Sequence, residues 1–234
     1  LTRAEPLIFE IETRKVIPVQ TEPIDLLYTG GANLQWYADS RRLYFTYTKR
    51  GYQSVQLREI DAATGAVRVL VDERSETFID PGMTYFRILE DTSDIVWSSE
   101  RDGWCHLYLY DGKSGRLKHQ ITRGPWVCRG ISRAYEKTRR IYFTACGREA
   151  GRDPYLVHVY RINLDGTDLR LLSPEDAEHA PSFSRGGGYY VDTYSRVTLA
   201  PASVLRRAED GSVTMELERF DSEPLLKTGW KWPE

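Results

Sequence analysis

The 234-residue sequence predicts an all-β chain, a segment of a β-propeller built from four-stranded antiparallel blades. Three observations predict it. A strand-like phrase recurs at Arg42–Thr46, Asp94–Ser98, Arg140–Thr144 and Gly188–Asp192, with steps of 52, 46 and 48 residues measured through Tyr44, Val96, Tyr142 and Tyr190. Each phrase stands in the same local grammar, after a polar turn and before two further apolar runs joined by a Gly-bearing turn. No long stretch sustains a 3.6-residue apolar period, which argues against a helical solenoid.

The elements follow in order. Polar turns at Ala38–Ser40, Glu90–Ser93, Tyr135–Thr138 and Ser184–Gly187 lead into the recurring phrase, the second strand of each blade. Third strands are expected at Val55–Ile60, Leu107–Tyr110, Leu156–Ile162 and Ala202–Leu205. Turns at Asp61–Gly65, Asp111–Gly115, Asn163–Gly166 and Glu209–Gly211 close the hairpin, because Gly tolerates positive φ and Asp bonds its own backbone. Fourth strands follow at Val67–Val71, Leu117–Ile121, Leu169–Leu172 and Val213–Leu217. Leu7–Glu12 and Val16–Val19 fit only the third and fourth strands of a blade, so their partners are expected upstream. The organisation is a half blade at 1–20, blades at 31–73, 84–126, 129–174 and 180–218, and a tail at 219–234. These four and a half blades are expected to form an incomplete ring with exposed apolar faces.

Composition narrows the function. Thirty-two basic and 34 acidic residues give a net charge of −2, with 41% hydrophobic residues, an ordinary globular balance. Neither sign dominates, so the charge indicates no nucleic-acid or anionic-membrane partner. No apolar run reaches the roughly 20 residues of a membrane span. Leu1–Pro6 opens no signal peptide and the chain has no initiator Met, so a fragment is expected. Cys105, Cys128 and Cys146 form no C-x-x-C pair, and Cys105 and Cys146, in strand-like or strand-end segments, read as small hydrophobes.

Catalytic signatures are missing. Gly130-Ile131-Ser132-Arg133-Ala134 lacks the second Gly of a nucleophile elbow, and Ser132 reads as a strand residue. There is no P-loop, no G-x-G-x-x-G after a strand and no H-E-x-x-H, and His106, His119, His158 and His179 have no i+2 or i+4 partner. No catalytic residue, metal site or cofactor is therefore indicated. Two polar loops remain as binding candidates, Ser99–Trp104 and Gly147–Tyr155. Their Glu100, Arg101, Arg148 and Arg152 would line a channel rim if they are more than local ion pairs. Trp36, Trp97, Trp104 and Trp126 are expected in the core between blades. Trp230 and Trp232 belong to the tail and are expected to pack on something beyond it.

Several phrases resemble the N-terminal propeller region of the dipeptidyl peptidase IV family: Trp97–Asp111, Tyr142–Tyr155 running on to Tyr160–Gly166, Leu172–His179 and Tyr190–Val197. The similarity extends from about Gly31 to the end, where Leu225–Glu234 resembles the family's crossing into its hydrolase domain. The resemblance implies an eight-bladed propeller followed by an α/β-hydrolase domain with a Ser-Asp-His triad, removing N-terminal dipeptides with Pro or Ala in second position. That hydrolase domain and the parent's peptide substrates are the implied partners. The family's amino-group site is a pair of adjacent glutamates; this sequence has no Glu-Glu pair, so that site is expected upstream. An aromatic of the second substrate pocket has a counterpart in Phe78, in the loop Arg74–Pro81. The resemblance also implies an exported or periplasmic parent and a homo-oligomer, neither of which the chain's own residues fix. The alternative is a free-standing propeller that serves as a protein-interaction scaffold.

Overall fold

In the computed structural model, residues 2–25 and 32–233 are described; position 31, where the sequence opens its first full blade, lies outside them, as do residues 1 and 234. The chain divides into two compact units, residues 1–103 with 107–120, and residues 104–106 with 121–234.

The first unit begins with two short antiparallel pairs, β1 (Arg3–Ala4) with β4 (Ile24–Asp25) and β2 (Leu7–Glu10) with β3 (Lys15–Pro18). Next comes a four-stranded sheet of β5 (Leu34–Trp36), β6 (Arg42–Thr48), β7 (Ser54–Asp61) and β8 (Val67–Arg74). The following sheet holds β9 (Phe86–Ile88), β10 (Ile95–Ser99), β11 (His106–Tyr110) and β12 (Leu117–Gln120). The second unit carries β13 (Val127–Tyr135), β14 (Arg140–Cys146), β15 (His158–Asn163) and β16 (Arg170–Leu171), then β17 (Glu178–Phe183), β18 (Tyr189–Arg196), β19 (Leu199–Arg207) and β20 (Val213–Arg219). Strand neighbours are sequential in all four large sheets and their pairings are antiparallel, the all-β propeller-blade grammar that the sequence predicts. A one-turn helix, α1 (Glu223–Leu226), opens the tail.

Turn chemistry works as the residue types require. Asp61 Oδ1 accepts from the backbone N–H of Ala63 (2.9 Å) and Thr64 (3.0 Å), and Asp111 Oδ1 does the same for Lys113 (3.0 Å) and Ser114 (2.7 Å). Gly65, Gly115 and Gly211 then take φ near +70° to +75°. These glycines have a second duty in packing. A Cβ on Gly65 would stand 2.0 Å from the carbonyl oxygen of Pro18, one on Gly115 2.6 Å from that of Leu70, and one on Gly211 2.2 Å from that of Leu172. These three closing turns therefore rest on the last strand, or the residue just after it, of the sheet before them. Pro18 ends β3, so the β2–β3 hairpin stands to the β5–β8 sheet as that sheet stands to the next.

The apolar contacts lie between sheets. Ile8 and Ile24 pack with Phe45, Tyr47 and Ile60, while Tyr44, Leu57 and Val71 pack with Ile88, Ile95, Trp97 and Tyr108. In the second unit Tyr142, Val159 and Leu172 meet Tyr190 and Ala208. Burying a side chain of this kind contributes about 1.5–3 kcal/mol. The tryptophans divide. Trp97 and Trp126 are buried as expected, whereas Trp36 and Trp104 are 49% and 43% exposed. Trp36 ends the short β5 at an open apolar cleft of about 590 Å³ with Ile8, Phe9 and Ile17, and Trp104 follows Gly103 in a loop outside the strands. Trp230 and Trp232 pack edge-on against each other, centroids 4.9 Å apart.

Candidate functional site

The five residues singled out in the sequence fall into two groups, one in each unit. Phe78, Glu100 and Arg101 belong to the first and Arg148 and Arg152 to the second.

In the first unit, the loop after β8 sends Ile79 into the core and thereby turns its neighbour Phe78 outward, 55% exposed. Phe78 rests on Tyr52, ring centroids 5.3 Å apart, and Ile79 N–H donates to the Tyr52 carbonyl at 2.6 Å. Glu100 reaches the same loop, its Oε2 3.4 Å from the Asp80 N–H. The structure thus brings Phe78 and Glu100 to neighbouring loops.

Arg101 is committed elsewhere. It donates to Glu73 Oε2 (2.8 Å), Ser99 Oγ (2.8 Å) and the Tyr110 hydroxyl (2.6 Å), and its guanidinium lies 4.4 Å from the Tyr108 ring centroid. The organising residue is Glu73, on β8. It also accepts from Trp97 Nε1 (2.9 Å) and from the Ser99 hydroxyl (2.6 Å). One carboxylate, its side chain 10% exposed, therefore gathers donors from the next sheet and its loop. Burial holds the Tyr108 and Tyr110 hydroxyls above the ordinary phenol range. Sequence reasoning misses Glu73, since nothing in its local spacing marks it.

In the second unit Arg148 pairs with Glu149 at 2.7 Å, and Glu149 accepts from the buried Tyr160 hydroxyl at 2.9 Å. Burial opposes ionisation of Glu149, but the Tyr160 and Arg148 hydrogen bonds outweigh it and hold the carboxyl below its ordinary range. Arg152 donates to the carbonyls of Pro174 (2.7 Å) and Glu175 (3.4 Å), fastening the β14–β15 loop to the segment before β17.

That segment leads to a buried polar core which the sequence does not indicate. Asp192, fully buried, accepts from Arg206 Nε (2.9 Å) and lies 2.9 Å from His179 Nδ1. Arg206, 1% exposed, also donates to Glu175 Oε2 (2.6 Å) and the Gly211 carbonyl (3.0 Å). Paired with a hydroxyl, the His179–Asp192 couple would have the form of a base and its orienting acid. Its second nitrogen, however, is spent on the Glu175 carbonyl at 3.1 Å, and both side chains are closed to solvent. Glu175, His179 and Asp192 each bring a ligand-type atom within 4.8 Å of the others, but the Arg206 guanidinium bridges the two carboxylates and supplies their positive charge. This is the chemistry of an internal ion-pair core.

What the geometry defines is a set of four-stranded antiparallel, propeller-type blades whose connecting loops are held by Arg–carboxylate and Tyr contacts. The particular family follows from comparison: residues 12–201 match the dipeptidyl peptidase IV N-terminal region, and the chain belongs to that family. Among curated relatives, dipeptidyl peptidase 4 of Arthroderma otae is 29% identical over 147 residues, which is 61% of this chain and 17% of that protein. Dipeptidyl peptidase 4 of Trichophyton rubrum is 28% identical over the same length, with the same coverage. The crystal structure of Porphyromonas gingivalis dipeptidyl peptidase 4 superposes with a TM-score of 0.74 at 18% identity, over 95% of this chain and 30% of that one, a likeness of fold. The chain thus matches 17% of the length of these curated relatives. Among the described residues no helix is long and apolar enough to cross a membrane.

Proposed function

We propose that this chain is a non-catalytic propeller part of a dipeptidyl peptidase IV-like serine exopeptidase, walling the chamber before the active site, limiting entry to small peptides and supporting an α/β-hydrolase domain. The observation that carries the reading is the family match across residues 12–201, alongside relatives named as dipeptidyl peptidases of which the chain covers only 17%. The site geometry agrees with a wall: Arg101 and Arg152 are tied to neighbouring sheets and loops, which stiffens a rim. Phe78 and Glu100 stay exposed on adjacent loops and are the residues offered to a passing peptide, with Arg148 beside Glu149 on the other unit's rim.

The test is hydrolysis of a Gly-Pro or Ala-Pro chromogenic substrate by this chain and by the longer polypeptide that contains it. Turnover by the long form alone is expected. Turnover by the 234-residue chain would overturn the non-catalytic assignment, and silence in both would overturn the peptidase reading. Gating is checked separately: removing the propeller from the long form should let it accept longer peptides, and unchanged size selection would refute the wall.

A further inference from the structure

The buried imidazole of His158 sits where a proton has no place to go. His158 opens β15 and is 2% exposed, with Nδ1 3.3 Å from the Ser173 carbonyl and Nε2 buried without a partner. A carbonyl oxygen only accepts, so the contact selects the tautomer with hydrogen on Nδ1 and leaves Nε2 bare. Protonation would create a second N–H with no acceptor and a positive charge in a closed site.

The surroundings do not welcome that charge. From β17 the His179 ring lies 5.3 Å away, its own nitrogens committed to Asp192 and the Glu175 carbonyl, with Arg206 behind Asp192. From the β14–β15 loop come Arg152 and Glu149, the latter already bonded to Arg148 and Tyr160. Glu178 faces the same region but is bonded to the Val157 N–H at 2.7 Å, and β14 presents the uncharged Ala145 opposite His158. Burial first, then His179 and Arg152, push the imidazole below its ordinary range against the smaller opposing influences of the Ser173 carbonyl and Glu149.

His158 is also at the centre of the fastening between two segments. On either side of it, Val157 N–H donates to Glu178, Val159 N–H donates to Ser173 Oγ (2.8 Å), and the Val157 carbonyl accepts from His179 N–H (2.9 Å). Arg152 holds the same junction through Pro174 and Glu175. We propose that His158 is an acid-sensitive latch, whose protonation loosens the 147–157 loop from the 173–179 segment and so unfastens one rim loop. The inference rests on this cluster alone and holds whether or not the chain belongs to an active peptidase.

The sign is fixed by linkage. A histidine whose folded pKa is depressed contributes fully above the unfolded value of about 6.5, and the contribution is lost as pH falls towards the folded value. Each unit of depression is worth tenfold in the folding equilibrium, about 1.4 kcal/mol. Two measurements on the 234-residue chain test it. Imidazole resonances followed by NMR should show His158 titrating below about 6.5. Amide exchange, corrected for its intrinsic pH dependence, should show protection at Val157, Val159 and His179 falling roughly tenfold more between about pH 7.5 and about pH 5.5 than in β19. His158→Gln should abolish that excess. A His158 titration at or above the ordinary value would overturn the latch, as would acid loss spread evenly over β14–β19. If His158→Gln does not fold, the wild-type titration and exchange map decide alone.

Discussion

Replacing Gly211 by Ala tests whether a closing turn of this kind gains stability by resting on the preceding sheet. Two costs are separable. At φ +75° any Cβ is strained, which costs roughly 1–2 kcal/mol. The new methyl would also stand 2.2 Å from the Leu172 carbonyl oxygen and 2.7 Å from its Cα. Ordinary contact begins at 3.4 Å, so one backbone must retreat by about 1.2 Å (3.4 less 2.2). Neither atom is a flexible side-chain end, and overpacking of this sort adds about 1–3 kcal/mol. The expected loss is therefore roughly 2–5 kcal/mol. Gly51 is the internal control: φ is +97° but a Cβ there would meet nothing within 4 Å, leaving the backbone strain alone. Gly115→Ala, 2.6 Å from the Leu70 carbonyl, should fall between them. Urea unfolding followed by tryptophan fluorescence gives the three values. Equal losses for Gly211→Ala and Gly51→Ala would refute the docking argument and leave only turn strain.

Two further substitutions probe the polar clusters. Arg206→Met leaves the fully buried Asp192 without its guanidinium and should cost about 3–5 kcal/mol, read as a lowered unfolding midpoint; adding Asp192→Leu should recover part of it, because removing both charges spares the unpaired one. Glu73→Gln keeps the side-chain size but withdraws the charge from Arg101, Trp97 and Ser99. It should cost about 1.5–3 kcal/mol, reduced by the 32% exposure of Arg101, with Trp97 fluorescence reporting the change; an unaltered midpoint would show that Glu73 does not fasten the two sheets.

The fold is legible in the sequence because its signals are local. Asp61, Gly65, Asp111 and Gly115 carry their turn chemistry within five residues, so the spacing alone marks a hairpin and its repetition marks a blade. The candidate site is legible only in part. Phe78 and Glu100 do come to neighbouring loops, but their approach is made through Asp80 and Tyr52. Arg101 reads in sequence as a loop cation; its carboxylate partner, Glu73, lies 28 residues earlier on another sheet. His158 and His179 have no helical or strand spacing between them and become neighbours only when β15 and β17 pack. Trp36 and Trp104 depart from the expected core for the complementary reason. An aromatic beside a strand is apolar enough for the core, yet whether it enters depends on which way a three-residue strand or a glycine turn delivers it.

The polar clusters share a logic that separates structural from exposed charge. Arg101 and Arg206 each meet a carboxylate on a neighbouring strand or sheet and at least one further acceptor, and Arg161, fully buried, meets Asp168 and the Glu209 carbonyl. A buried guanidinium is tolerated only when its donors are met, so such residues are fixed by the blades and have little left to offer a ligand. Arg148 differs in its partner: its ion pair is with its own sequence neighbour Glu149 and not with a carboxylate on another strand or sheet. Phe78 and Glu100 are under-committed. On the reading proposed above, contact with peptide would fall to Phe78 and Glu100 in the first unit and to Arg148 in the second, while Arg101 and Arg152 hold the loops of their own units. Substituting Arg101 or Arg152 should therefore lower stability together with turnover of the long form, whereas substituting Phe78 should alter turnover and leave the unfolding midpoint within about 0.5 kcal/mol of the original.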